Sequence, residues 1–214
     1  MSIADQTSFE DHFPVTVMLS HHIGLETINQ DIFSLIRRLR DQNIDSPNEN
    51  EALSGTVTTY GGYQTSKKMM FLNLQETAVQ TLREQVIMPG IKRYLAKVYQ
   101  EHAAKLGTRV VSWANILREG DWQAPHMHPT AGNLISGVYY VSVPEKPAPQ
   151  GCIEFLNPHP AAHYHNISLT RRLHPKAGDL MLFPPYHIHY VYPFRGDGER
   201  AIIAFDVLQA AQFV

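Results

Sequence analysis

The sequence has a single cysteine, Cys152, and this scarcity excludes two kinds of architecture. One thiol cannot build an internal disulfide framework, and it cannot supply the thiolate cluster of a zinc ribbon. Long apolar runs are also missing, since none approaches the roughly 20 residues that a membrane-spanning helix needs. The N-terminal stretch MSIADQTSFEDHF contains acidic residues and lacks an apolar core, so it predicts no secretory signal. The default expectation is a cytoplasmic protein.

An excess of charge of either sign is absent as well. Lys and Arg total 18 and Asp and Glu total 20, which gives a formal net charge of −2. This balance, without a polybasic run, argues against nucleic acid or a membrane surface as a partner. Hydrophobic residues make up 43% of the chain, which is enough to build a sizeable core. With no internal repeat and no long linker, residues 1–214 are expected to form a single domain.

The first half of the chain, residues 1–108, has the pattern of helices with a few edge strands. Apolar residues at helical spacing predict one helix from about residue 25 and a second helical region from Gln75 to Lys105. The second region should kink or break near Met88–Gly90 because it contains a proline. Residues 13–19 and the segment GTVTTY (55–60) favour short strands, within an otherwise turn-rich region from 45 to 66.

The second half, residues 109–214, has a different sequence pattern. Six short β-rich runs are separated by Gly, Pro, Asp and Asn: RVVSWANILREG, LISGVYYVSVP, GCIEFLNP, GDLMLFPP, IHYVYPF and RAIIAFDVLQ. Strands at this spacing are typical of an antiparallel sandwich or barrel of the jelly-roll kind. We therefore predict an α+β fold, a double-stranded β-helix (jelly roll) that forms a metal-binding core. The N-terminal helices should pack on one face of its sheet as a buttress.

The segment DWQAPHMHPT contains two candidate metal-binding histidines. In an extended segment positions i and i+2 face the same side, so His126 and His128 can both present a ring nitrogen to one point. A third ligand is expected from GDLMLFPPYHIHYV, where either His187 or His189 enters a strand. Imidazole ligands suit iron, zinc, copper or nickel, and the spacing alone does not choose among these metals.

Arg200 opens an otherwise apolar strand, RAIIAFDV. Alternation would place Arg200, Ile202, Ala204 and Asp206 on one face. An unpaired guanidinium inside a barrel is costly and needs an anion. That anion would be either a protein carboxylate or the far carboxylate of a dicarboxylate cosubstrate whose other end chelates the metal. Alternatively, the preceding GDGE turn leaves Arg200 at the edge of the solvent.

Taken together, these segments resemble the iron(II)/2-oxoglutarate-dependent oxygenases, and more narrowly a bacterial and phage branch of them. The resemblance rests on His126-Met127-His128, SGVYYV (136–141), GDLMLFP (178–184), the later His189 and Arg200, and YGGYQTS (60–66). It implies a non-haem dioxygenase that uses Fe(II) and 2-oxoglutarate to hydroxylate a substrate. That substrate, a small molecule or a peptide, is not identified by the sequence.

The resemblance also implies roles for particular residues. His126, His128 and His189 match the metal ligands, and His189 is favoured over His187 by its distance from Arg200. The matching cosubstrate contacts are Arg200, Asn115 on the WANIL strand and Tyr140 in GVYYV. The loop 157–175 is expected to cover the substrate side, and the apolar tail 207–214 would pack on its own sheet or on the second copy of a homodimer.

One departure from the family pattern leaves alternatives open. The proximal motif of the family is His-x-Asp or His-x-Glu, and His128 occupies the place of the carboxylate. Either His128 ligates the metal, or Glu154 or Asp206 supplies a carboxylate instead. A three-histidine centre would also suit a cupin-like dioxygenase or isomerase that works without 2-oxoglutarate. A non-catalytic, metal-containing binding module is a further alternative.

Overall fold

The computed structural model describes residues 14–42, 58–128, 130–159, 162 and 168–210 of the chain. In these residues the helices are α1 (Glu26–Asp41), α2 (Thr77–Leu82) and α3 (Met88–Tyr99), with 3₁₀ turns at Lys67–Met69, Phe71–Asn73 and Gln100–Lys105. The strands are β1 (Met18–His21), β2 (Thr59–Tyr60), β3 (Tyr63–Gln64), β4 (Thr108–Leu117), β5 (Trp122–His126), β6 (Asn133–Ser142), β7 (Ile153–Leu156), β8 (Thr170–Leu173), β9 (Asp179–Phe183), β10 (His189–Val191) and β11 (Arg200–Gln209). None of these helices combines the length and the apolar character that crossing a membrane requires.

The strands form two antiparallel sheets. The larger sheet has the order β1-β9-β6-β11-β4-β3, and the smaller has the order β2-β5-β10-β7-β8. Apolar side chains of both sheets meet in one core, to which the larger sheet contributes Met181 and Phe183 and the smaller sheet Ile153 and Phe155. Each of the six β-rich runs predicted from the sequence contains a strand, and the α+β prediction agrees with this architecture.

The central strand β11 is buried on both faces, which explains its nearly continuous apolar sequence. Its residues Ile203 and Phe205 lie in the core under the helices, together with Ile32 and Ile36 of α1. The alternate residue Ile202 points into the core between the sheets. The helices therefore cover the outer face of the larger sheet, as predicted, and leave its inner face to the smaller sheet.

The second helical region is continuous through Pro89. A π-helical turn, Arg83–Ile87, joins α2 to α3, and Pro89 lies in the first turn of α3. Proline has no backbone N–H, so Pro89 cannot donate a hydrogen bond to the preceding turn of the helix. The wider π-helical turn just before it allows the helix to continue without that hydrogen bond. The predicted irregularity is present, but it begins a turn earlier than Met88–Gly90. The α-helix ends at Tyr99, and 3₁₀ geometry follows as far as Lys105.

Two glycines of the motifs quoted above have specific structural reasons. A Cβ on Gly137 would collide with the ring of Phe205 and with Leu182, so β6 can approach its neighbours only without a side chain there. Gly178 has φ +91° and lies against the carbonyl oxygen of His22, a conformation that favours glycine. The turn before β9 therefore requires the glycine of the GD pair.

Part of the segment 157–175 belongs to the smaller sheet. Its C-terminal part forms β8, the edge strand of the smaller sheet, and there Arg172 pairs with Glu154 of β7. Residues 160–161 and 163–167 lie outside the described residues, as do Phe13, most of 45–66 and the end of the apolar tail. The lid role and the homodimer remain predictions.

Candidate metal centre

His126 and His189 are brought together by strand pairing. His126 is the last residue of β5, His189 is the first residue of β10, and the two are direct partners in the antiparallel ladder. Their ring centroids are 4.3 Å apart, and the ring of His128 lies 5.3 Å from His126 and 5.4 Å from His189. Each histidine offers a ring nitrogen, and these three atoms all lie within 4.8 Å of one another. The three imidazoles can hold one metal ion.

The ladder between β5 and β10 contains an irregularity that shapes this site. Between the partners His126↔His189 and Gln123↔Val191, β5 advances by one residue more than β10. Such a bulge changes the alternation, so that Gln123 and His126 both face the interior. Pro125 lies inside the irregular stretch, where the absence of an N–H donor is tolerated. His128 follows the strand, and its backbone N–H donates to Pro185 O at 2.8 Å.

All three imidazoles are fixed in the same tautomer. The Nδ1 of His126 lies 2.7 Å from Ala124 O, and the Nδ1 of His189 lies 2.9 Å from His187 O. The Nδ1 of His128 lies 2.7 Å from Asp206 Oδ1. Because carbonyl and carboxylate oxygens can only accept, each Nδ1 carries the proton and each Nε2 keeps its lone pair. This tautomer makes Nε2 the metal-binding atom of all three rings.

Burial keeps the ladder pair neutral. It lowers the pKa of His126 to about 4, and the hydrogen bond to Ala124 offsets only part of this effect. Burial also lowers the pKa of His189 well below its usual value, and the neighbouring His126 adds to the shift. Since metal ions compete with protons for imidazole, low pKa values leave both rings ready to bind a metal at neutral pH.

Asp206 lies behind His128 rather than in the cluster of ligand atoms. Burial by itself would raise the pKa of this carboxyl, but the hydrogen bond from His128 and the charge of Lys67 lower it to about 2. The ammonium of Lys67 lies 3.0 Å from Asp206 Oδ2 and 4.2 Å from the ring centroid of Trp113. Of the two carboxylates considered from the sequence, Asp206 thus contacts a candidate ligand.

Glu154 is directed elsewhere. Although it is buried, it accepts hydrogen bonds from Arg172 at 2.5 Å and from Tyr190 at 2.7 Å. Its strand neighbour Phe155 packs against His189, with ring centroids 5.7 Å apart. Because adjacent residues of a strand point to opposite faces, Glu154 points away from the three imidazoles. His187 is also engaged elsewhere, since its Nε2 lies 3.1 Å from Leu156 O.

Arg200 and Tyr140 lie at the inner end of the same cavity. The guanidinium carbon of Arg200 is 5.1 Å from the ring centroid of Tyr140, and both side chains are fully buried. Among the described residues, Arg200 Nε and Nη1 and the Tyr140 hydroxyl have no hydrogen-bond partner. Burial raises the pKa of Tyr140 to about 12, although the charge of Arg200 opposes this, and burial lowers the pKa of Arg200. Buried, unpaired donors of this kind call for an anion.

The cavity has a narrow inner part and a wide outer part. The inner part measures about 30 Å³, enough for one small polar group, and both Arg200 and His189 line it. The outer part measures about 520 Å³, and it includes Lys67 and Gln64. The two parts share four lining residues: Trp113, Gln123, His126 and His128. The candidate metal centre therefore lies between a narrow, cationic end and a wider space.

Asn115 lies on the cavity-facing side of β4, opposite Ile202, but it does not line either part. Its Nδ2 is 3.5 Å from Thr59 Oγ1, and its buried Oδ1 has no partner among the described residues. Trp113 and Lys67 are among the lining residues that the sequence analysis did not identify. Trp113 could have been found by alternation, since it lies two positions before Asn115, whereas Lys67 lies in a turn-rich segment without periodicity.

One family model matches the part of the chain that contains this site. Residues 111–206 match the model of a family described as "Putative 2OG-Fe(II) oxygenase", that is, 2-oxoglutarate- and iron(II)-dependent. The search among curated proteins gave no match. The predicted resemblance to the iron(II)/2-oxoglutarate-dependent oxygenases is confirmed by the family match.

Several solved structures share the fold of this chain. A Pseudomonas putida prolyl-4-hydroxylase has a TM-score of 0.63 and 14% identity, over 91% of this chain and 93% of that one. A Trichoplax adhaerens prolyl hydroxylase, in complex with a hypoxia inducible factor peptide fragment, has a TM-score of 0.64 and 13% identity, over 90% and 83%. HygX from Streptomyces hygroscopicus, with nickel and 2-oxoglutarate bound, has a TM-score of 0.57 and 10% identity, over 91% and 83%. The jelly-roll prediction is confirmed.

Proposed function

We infer that this chain, whose residues 111–206 match the 2OG-Fe(II) oxygenase family, is an iron(II)- and 2-oxoglutarate-dependent dioxygenase. One observation carries the inference. The three imidazoles that can hold a metal lie in the same cavity as a buried arginine whose Nε and Nη1 lack partners among the described residues. A metal at one end and an unpaired cation at the other fit a cosubstrate with a chelating end and a distal carboxylate.

The donor set suits the metal. His126, His128 and His189 would hold Fe(II) through Nε2, because each Nδ1 is already used as a donor. Imidazole is a ligand that iron accepts readily, and three protein ligands would leave positions for small molecules. When bound, the iron would supply the redox chemistry, while the protein orients the reactants and excludes water.

The inner end of the cavity suits the cosubstrate. Arg200 would donate to the distal carboxylate of 2-oxoglutarate, since a guanidinium matches a carboxylate in shape and charge. The hydroxyl of Tyr140 would add a donor to the same group. Asn115 lies beside the cavity rather than on its lining, so its contact with the cosubstrate stays a prediction from the sequence. A carboxylate at Arg200 would also relieve the cost of an unpaired buried charge.

The prime substrate would occupy the wide outer part of the cavity. A volume of about 520 Å³ fits a small molecule or a side chain presented by a peptide. Its lining includes Lys67, Gln64 and Gln123, so hydrogen bonds rather than apolar contacts alone would orient the substrate. The net charge of −2 does not favour a nucleic acid as the substrate.

One observation favours a second candidate, a three-histidine dioxygenase or isomerase that works without 2-oxoglutarate. The potential metal-binding cluster among the described residues contains three histidines and no carboxylate. The two candidates differ at Arg200, which has a role in the first and none in the second.

The test is to load metal-free protein with Fe(II) under anaerobic conditions and to titrate 2-oxoglutarate. We expect a visible charge-transfer band from the chelate and, after oxygen and ascorbate are admitted, succinate. The variant Arg200→Met should lose the band, whereas Arg195→Met, which changes an exposed arginine five residues away, should keep it. Fe(II) binding without any 2-oxoglutarate binding would reject the proposal in favour of the second candidate. Succinate formation would exclude a purely non-catalytic binding module.

A further inference from the structure

Four side chains bond to the carboxylate of Asp206, next to the candidate metal centre. Asp206 is 2% exposed, and its Oδ1 lies 2.7 Å from the Nδ1 of His128. The same oxygen accepts from Ser136 Oγ at 2.9 Å and from Asn133 Nδ2 at 3.2 Å. Its other oxygen, Oδ2, lies 3.0 Å from the ammonium of Lys67. Donors from three other parts of the chain thus hold the carboxylate in one place.

The position of Asp206 excludes a direct ligand role in this conformation. The cluster of ligand atoms within 4.8 Å consists of His126, His128 and His189, and Asp206 is not part of it. Its carboxylate contacts Nδ1 of His128, whereas the metal-binding atom of that ring is Nε2. Of the three candidate ligands, His128 is therefore the one that Asp206 contacts.

The three histidines differ in their outer partners. His126 and His189 donate to neutral backbone carbonyls, of Ala124 and His187 respectively. Only His128 donates to a charged group, and an ionised acceptor forms a stronger hydrogen bond and makes the imidazole a better electron donor. The histidine that stands where the family pattern has a carboxylate is thus the one with a carboxylate behind it.

We propose that Asp206 is a positioning residue for the metal centre. It holds His128 as the Nδ1–H tautomer, orients its Nε2 towards the metal, and supplies through the imidazole the negative charge that a carboxylate ligand would supply directly. The proposal rests on the proposed function only in assuming that His128 binds a metal. Outer-shell partners of this kind typically change metal affinity by about 10- to 100-fold.

The experiment compares Asp206→Asn and Asp206→Ala with the wild type, using Co(II) as the probe. Asn preserves the shape and an acceptor oxygen but removes the charge, whereas Ala removes both. We expect the Kd for Co(II) to rise about 10-fold or more in Asp206→Asn, and further in Asp206→Ala. The matched control is Glu154→Gln, which neutralises an equally buried carboxylate that does not touch the three imidazoles and should keep the wild-type Kd.

A second measurement separates positioning from stability. Nitrogen-15 NMR of the metal-free proteins reports which ring nitrogen of His128 carries the proton. We expect Nδ1–H in the wild type and a mixed population in Asp206→Ala. If that variant does not fold, the isosteric Asp206→Asn carries the affinity test, with its unfolding midpoint measured alongside.

Two results would overturn the inference: wild-type Co(II) affinity in both Asp206 variants, or an Nε2–H tautomer of His128 in the wild type. Failure of the wild type to bind Co(II) would instead contradict the proposed function. In that case the tautomer of His128 still decides whether Asp206 positions the ring.

Discussion

His126 and His189 are direct partners in an antiparallel ladder, and their ring centroids are 4.3 Å apart. The backbone hydrogen bonds of β5 and β10 therefore hold two of the three candidate ligands at a fixed separation, without any help from a metal. His128 completes the group from the segment that follows β5, where its own N–H donates to Pro185. The three candidate ligands are therefore preorganised.

The first prediction concerns the ligand set. Replacing His189 by Ala should weaken Co(II) or Fe(II) binding by more than the roughly 10- to 100-fold typical of an outer-shell change, because a ligand itself is lost. His187→Gln is the matched control, since His187 lies two residues away and bonds to Leu156 O instead. Isothermal titration of both variants tests this. A loss of binding in His187→Gln, with none in His189→Ala, would mean that the site had been assigned to the wrong histidine.

The second concerns Arg200, whose replacement should separate stability from cosubstrate binding. Arg200→Met removes a buried charge that lacks full pairing, so the free protein should be no less stable than the wild type, and the midpoint of urea unfolding measures this. The free energy of 2-oxoglutarate binding should become less favourable by about 2–5 kcal/mol, which is the usual cost of removing one partner of a buried charge pair. A destabilised variant that retains 2-oxoglutarate affinity would point to a structural role for the guanidinium.

The third concerns the pH dependence of the metal-free protein. Burial lowers the pKa of His126 from 6.5 to about 4 and also lowers that of His189. Between about pH 4 and 6.5 the unfolded chain therefore binds more protons than the folded chain. The free energy of unfolding is therefore highest above pH 6.5 and decreases as the pH falls towards 4. His126 accounts for on the order of 3 kcal/mol of this decrease.

Urea unfolding of metal-free wild type and His126→Asn across this pH range measures the effect. The free energy of unfolding of the variant should decline less steeply with acid, because one of the histidines with a lowered pKa is gone. The contribution of Asp206, whose pKa is lowered to about 2, has the same sign but appears at more acidic pH. A wild-type curve that is flat from pH 6.5 to 4 would contradict the lowered pKa values of His126 and His189.

The fourth concerns the glycine of SGVYYV. Gly137→Ala would place a methyl group against the ring of Phe205 and against Leu182, and overpacking of this kind costs about 1–3 kcal/mol. Gly107→Ala is the control, because its Cβ would make an ordinary 3.5 Å contact with Ala210. Thermal unfolding compares them. Phe205→Leu in the Gly137→Ala background should recover part of the loss, and the absence of any loss would show that β6 can shift away.

Local patterns were enough to predict much of the fold and part of the site. Alternation in a strand depends only on neighbouring residues, so RAIIAFDV correctly indicated that Arg200, Ile202 and Ala204 share the cavity face. The His-x-His spacing likewise indicated that His126 and His128 point the same way, and helical spacing predicted α1 to within a turn. These inferences hold because a period of two or of 3.6 is a property of the backbone itself.

The pairings between distant segments were decided by the tertiary structure alone. No local pattern specifies that His189 rather than His187 stands opposite His126, since that depends on the register between β5 and β10 and on the bulge in β5. Nor does any spacing reveal that Asp206 reaches the Nδ1 of His128 across 78 positions of sequence. Register and side-chain contact are set by how the sheets pack as a whole, and the chemistry of this site lies in those long-range contacts.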